Sequence, residues 1–92
     1  MILHTLNQGP ANRACLESCL EAMAPEDSLL LIEDGVYWLQ PAFAELLPAQ
    51  GKLFALSPDI QARGLEIALE QQVDDAGFVA LSVSHDKVVS WF

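Results

Sequence analysis

Residues 28–33 read "SLLLIE". Leu29, Leu30, Leu31 and Ile32 are apolar in succession, so an extended segment here is apolar on both faces. Such a strand has to be covered on both sides, as in a parallel sheet packed between helices. The run is far too short to span a bilayer. Asp34-Gly35 follows it as a turn signal. Upstream, "ILHTL" (2–6) reads as a first strand. In "NQGP" (7–10), Gly9 suits a helix N-cap and Pro10 the first helical position, and a helix is expected to about Met23 before "APED" breaks it. Downstream, "VYWLQPAFAELL" (36–47) reads as helical but interrupted at Pro41. "KLFAL" (52–56) is a third strand. "SPDIQARG" (57–64) is a short helix with Ser57 as N-cap, Pro58 at its first position, Gly64 as C-cap and an Asp59–Arg63 pair one turn apart.

The last third is ambiguous. "QQVDD" (71–75) reads as a short strand. "GFVALSVSH" (77–85) alternates, with Val79, Leu81 and Val83 on one side, so periodicity alone gives a strand there. "KVVSWF" (87–92) is a further strand. Strands alternating with helices predict an α/β domain over residues 1–92, built on a mainly parallel sheet.

Composition narrows the function. The chain is 52% hydrophobic in 92 residues. A chain of this size buries only about 60–65% of the surface its unfolded form exposes. The apolar surplus therefore predicts a surface that meets another protein, and an isolated chain that is not a stable monomer. Thirteen acidic residues against four basic ones (Arg13, Lys52, Arg63, Lys87) give a net charge of -9. That leaves no basic patch for phosphates, so no direct nucleic-acid partner is expected, and anionic membranes are disfavoured. "MILHTLNQ" lacks the features of a secretory signal, and two cysteines without one suggest the reducing cytoplasm.

Known chemical motifs are sparse. No glycine-rich nucleotide loop follows the first strand and no G-x-S-x-G elbow is present. "NQGP" puts a helix N-terminus beside the sheet, where an anion could sit, but an ordinary turn is the favoured reading. Glu33 and Asp34 are neighbours that point to opposite faces of a strand, which is poor geometry for an acid–base pair. Zinc would need the unusual C-x-x-x-C spacing plus the distant His4 and His85. No metal or cofactor is expected. His85 in "SHDK" reads as a solvated turn. His4 reads as a satisfied, half-buried histidine that could point toward the first helix.

That helix carries the only two cysteines, in "RACLESCLEAM" (13–23). Cys15 and Cys19 are one helical turn apart, inside an apolar arc with Ala11, Leu16, Leu20, Ala22 and Met23. Buried filler is the first reading for such thiols, ahead of catalysis by roughly three to one. A disulfide within one rigid helix is disfavoured. Neither thiol lies in the first helical turn, and Glu17 and Glu21 would raise rather than lower its pKa. A reactive thiol here would need activation from a partner subunit or from His4.

Several stretches together carry a family resemblance. They are "LHT" (3–5), the Asn7-to-Pro10 turn, "LLLIEDGVY" (29–37), "FALSPDIQARG" (54–64), "DAGFVALSVSH" (75–85) and the aromatic end with Trp91. In this order and over this length, the chain resembles the TusB/DsrH family. The resemblance implies a DsrE-like fold, a single layer of mostly parallel sheet flanked by helices, with 75–84 helical and the final residues a strand. It implies a heterohexamer with homologous C- and D-type subunits, two copies of each. In the Tus relay, sulfur passes through a TusA-like carrier to this complex and on to a TusE-like carrier, for 2-thiolation of tRNA wobble uridine. The chain would be the B subunit, non-catalytic or auxiliary, with the main transferring cysteine on the D subunit. Cys19 falls on the position where DsrH-type members have a cysteine thought to carry sulfur, so it is the candidate sulfur-accepting residue. Cys15 matches nothing in the family pattern and reads as packing. The rival readings are a persulfide-carrying subunit in sulfur oxidation and a stand-alone homo-oligomer.

Overall fold

Five parallel strands form one sheet: β1 (Ile2–Leu6), β2 (Ser28–Leu31), β3 (Leu53–Leu56), β4 (Gln72–Val73) and β5 (Lys87–Trp91). The computed structural model describes residues 1–92, apart from the side chains of Gln50 and Leu69. The strand order is β4-β3-β2-β1-β5. β2 is the central strand, and all of its residues are buried. The uninterrupted apolar run is what that position demands, because a central parallel strand has no solvent face.

Three helices connect the strands: α1 (Arg13–Ala22), α2 (Ser57–Ala62) and α3 (Asp75–Ser84). From β1 to β4 the chain moves across the sheet in one direction, and right-handed crossovers keep α1 and α2 on one face. The step from β4 to β5 runs back across the sheet, so α3 covers the opposite face. Register defines what each face holds. Leu6, Leu29, Leu31, Leu53 and Ala55 line the α1 side and join Leu16 and Cys19 of α1, Val36, Trp38 and Ile60 in one buried cluster. Leu3, Thr5 and Leu30 line the α3 side and are buried there.

Between β2 and β3 the chain is helical in 3-10 form, Glu33–Leu39 and Pro41–Leu46. The break falls at Gln40, held extended (φ -63°, ψ 144°) because a residue preceding proline is driven out of the helical region. Gly9 and Pro10 open the segment before α1 as expected. Gly64 has φ +65° and closes α2, with the Leu65 N–H donating to the Ile60 carbonyl. Ser57, expected as an N-cap, instead opens α2 itself and makes no side-chain cap bond.

The strand suggested by alternation in residues 77–85 is not formed, and α3 stands there instead. A parallel crossover from β4 to β5 needs a helix-length excursion, and topology outweighs the β-branched valines. Local chemistry supports the helix, since the Asp74 carboxylate accepts from the Gly77 N–H at 2.7 Å as its cap. Phe78, Leu81 and Ser82 turn inward, half-buried. The outward stripe is Ala76, Val79, Ala80 and Val83, with Val79 63% and Val83 80% exposed. An outer helix normally presents polar residues there.

Gly35 lies against the end of β1. The Leu6 carbonyl accepts from the Ile32 N–H at 3.0 Å, and a Cβ on Gly35 would overlap that same carbonyl oxygen. Gly35→Ala is therefore expected to cost about 2–3 kcal/mol in urea denaturation. Gly51→Ala, whose added methyl meets nothing within 4 Å, is expected to change stability by less than about 0.5 kcal/mol. Equal stability of the two variants would contradict the close approach.

Candidate functional site

The α1 thiols sit differently. Leu16 and Cys19 are the buried residues of the helix, while Cys15, Leu20 and Met23 are half-buried and pack against the same cluster. Ala11 and Ala22, assigned to the apolar arc by spacing, are exposed. Cys19 has no exposed surface. Burial pushes its thiol up to about 12, and the neighbouring Cys15 adds to the shift. Glu17 and Glu21 point to solvent and are not the cause. Near neutral pH Cys19 is therefore held as the thiol.

His4 is fully buried rather than half-buried, and it does not serve the thiols. Its Nε2 lies 2.9 Å from Asp27 Oδ2, and its Nδ1 accepts the Trp91 indole N–H at 3.0 Å. With both ring nitrogens engaged, none is left to take a proton from Cys15 or Cys19. Asp27, just before β2, gathers three donors. Oδ1 accepts from the Ile2 N–H at 2.9 Å, and Oδ2 accepts from the Ala24 N–H at 2.9 Å as well as from His4. Burial alone would push the Asp27 carboxyl up, but the Ala24 amide, the His4 ring and the Ile2 amide outweigh it and hold the pKa at about 2. One sign of this node was visible beforehand: a histidine inside an apolar strand needs a partner. Nothing in "APED" marked Asp27 as that partner.

His85, expected in a solvated turn, fastens α3 to the sheet. Its Nδ1 meets the Leu81 carbonyl at 2.7 Å and its Nε2 meets Ser28 Oγ at 3.0 Å. At the carboxyl ends of the strands, where α/β folds commonly place ligands, Arg63 is held by carboxylates. It binds Asp34 Oδ1 through Nε (3.0 Å) and a terminal nitrogen (2.9 Å), lies 3.9 Å from Asp59, and stacks on Tyr37 at 5.9 Å. The expected Asp59–Arg63 pair is thus the looser of the two. Asp59 instead accepts the Glu33 N–H at 2.7 Å, where Glu33 adopts φ +50°. Glu33 and Asp34 serve this turn. Among the described residues, no group of three or more His, Cys, Asp or Glu side chains is placed to hold a metal ion. No described helix is long and apolar enough to cross a membrane.

Comparison with known proteins gives the lineage. The family model described as DsrH like protein matches residues 8–88. The chain belongs to the DsrH-like family. Protein TusB of Enterobacter sp. (strain 638) is 38% identical, over 98% of this chain and 100% of its own length. Protein TusB of Serratia proteamaculans (strain 568) is 34% identical and that of Pectobacterium atrosepticum 33%, each over the same shares. The family match spans the thiol-bearing helix, the Asp27 turn and α3.

Two outcomes follow from the site. Asp27 has a folded pKa of about 2 against an ordinary 3.8, so its contribution is complete above about pH 4 and is lost as pH falls toward 2. Urea stability is expected to drop across that window, and Asp27→Asn is expected to flatten the drop and to cost about 2–4 kcal/mol at pH 7. An unchanged acid limb in the variant would show that Asp27 is not the linked group. In the folded isolated chain, iodoacetamide is expected to label Cys15 first and Cys19 only in denaturant, read by peptide mass. Labelling of Cys19 as fast as Cys15 would contradict its burial.

Proposed function

We propose that this chain is the B-type subunit of a cytoplasmic sulfur-relay complex that supplies sulfur for 2-thiolation of the tRNA wobble uridine. Its partners are homologous C- and D-type subunits in a heterohexamer, with TusA- and TusE-like carriers reached through the complex. The observation that carries this reading is the full-length likeness to proteins named TusB. The apolar outer stripe of α3 supports a life in an assembly, because Val79 and Val83 in water contribute nothing to the stability of the chain alone. The -9 charge supports a role without direct contact to RNA.

The role of the chain in this relay is primarily structural. Cys19 accepts sulfur only in a state in which the cover over its cluster has moved, because attack on a sulfane sulfur requires an accessible thiolate. Deleting the gene in the native host is expected to abolish wobble 2-thiouridine, measured by mass spectrometry of tRNA nucleosides, and the wild-type gene is expected to restore it. Undiminished thiolation in the deletion strain would refute the relay assignment. Cys19→Ser is expected to assemble normally and to restore thiolation fully if the subunit is structural. A sulfur-carrying Cys19 would instead show one added sulfur mass on its peptide after exposure of the complex to a persulfide donor, with Cys15 unmodified and a slowed relay in Cys19→Ser.

A further inference from the structure

The end of β5 is tied to the sheet by one side-chain bond whose chemistry fixes a protonation state. An indole N–H can only donate, so His4 Nδ1, 3.0 Å from Trp91 Nε1, carries no hydrogen. The ring hydrogen is therefore on Nε2, donated to Asp27 Oδ2 at 2.9 Å. His4 in this arrangement is neutral, in a single tautomer. We infer that His4 and Trp91 form a proton-gated latch: a proton added at His4 Nδ1 sets two N–H donors against each other and releases the Trp91 indole, loosening the end of β5.

The surroundings allow the latch to open without loss of the fold. Protonated His4 keeps its Nε2–H bond to Asp27, and that bond becomes an ion pair. The groups facing the ring are few. Asp27 comes from the turn before β2, and it is already ionised at every pH above about 4. β2 and β5 place Leu29 and Val89 beside His4, and β5 adds Trp91. The inward side of α1 carries only Cys15 and Cys19 as titratable groups, while Glu17 and Glu21 are exposed. Asp86 and Lys87 are exposed at the far start of β5, with Asp86 bound to the Met1 amine. No second carboxylate touches the ring among the described residues. Besides the backbone ladder with β1, the end of the strand is tied by Thr5 Oγ1 to Ser90 Oγ at 3.2 Å and by the Asn7 N–H to the Trp91 carbonyl at 3.4 Å. β5 is also an edge strand, paired only with β1. Trp91 packs against the buried cluster that includes Leu6 and Cys19, so its release opens that cluster from the β5 side.

The test is a pH titration of the full chain by ¹H–¹⁵N NMR, following the His4 ring proton and both indole N–H groups. Trp38 is the internal control, since its indole donates to the Gln8 carbonyl at 2.9 Å, an acceptor that does not titrate. The Trp91 indole is expected to shift with the same midpoint as His4 and to exchange with solvent at least about tenfold faster below it, while Trp38 stays protected. Trp91→Phe keeps a packed ring and removes the opposing N–H, so His4 is expected to take up its proton at a higher pH than in the wild type. A Trp91 indole that ignores the His4 titration overturns the latch. So does one that moves only together with Trp38, or a Trp91→Phe variant whose His4 titrates as in the wild type. The readouts involve no sulfur transfer, so failure here leaves the tRNA result of the relay reading standing.

Discussion

The pairing of His4 with Asp27 is the constraint around which the rest of the sheet is arranged. A carboxylate and an imidazole, each 2% exposed, are kept inside an apolar layer. Unpaired, either would cost several kcal/mol in lost hydration. Asp27 avoids that by collecting the Ile2 and Ala24 amides as well as His4, and His4 avoids it by accepting from Trp91. Four segments are joined through these two side chains: β1, the exit from α1, the entry to β2 and the end of β5. Because Asp27 immediately precedes the central strand, the node helps to fix where β2 starts relative to β1, with Leu3 opposite Ser28.

The two faces of the sheet are finished in different ways, and the difference bears on function. The α1 side is sealed: Cys19 lies among leucines, Val36 and Trp38, and Trp38 is pinned by its bond to Gln8 and by an edge-on contact with Phe43 at 5.0 Å. On the opposite side α3 is held at one end by its Asp74 cap and at the other by His85 on Ser28, yet it shows valines to the outside. A cysteine with a thiol pKa near 12 is chemically quiet, and an apolar outer stripe is costly to leave in water. Both properties suit a component whose main task is to support partners.

Much of the fold was legible before the structure. "SLLLIE" required a strand covered on both faces, and β2 is central. Glycine and proline punctuation located the 3-10 segment that leads into α1, the extent of α2 and the break before Pro41. These signals are local, since proline geometry and left-handed glycine act on their own residue and its neighbours. Residues 77–85 were misread by period alone, because the preference of valine for strands is weaker than the demand of a parallel crossover for a helix. The family resemblance, which rests on the whole ordered chain, gave the helix correctly.

Composition and patterns within a few residues were thus enough for the α/β class, the acidic charge and most of the elements, whereas the lineage and the helix at 75–84 came from the whole ordered chain. The tertiary structure alone decided how the side chains are used. Asp27 and Trp91 meet His4 from 23 and 87 residues away, Ser28 meets His85 from 57, and Asp34, 29 residues from Arg63, binds it more closely than Asp59 does. Such pairings depend on which strand lies beside which and in what register, and no local pattern encodes that. The same holds for Cys19. Its spacing placed it on an apolar arc, but only the packing of α1 over β1 and β2 showed that burial, rather than the charge of Glu17 and Glu21, sets the state of its thiol.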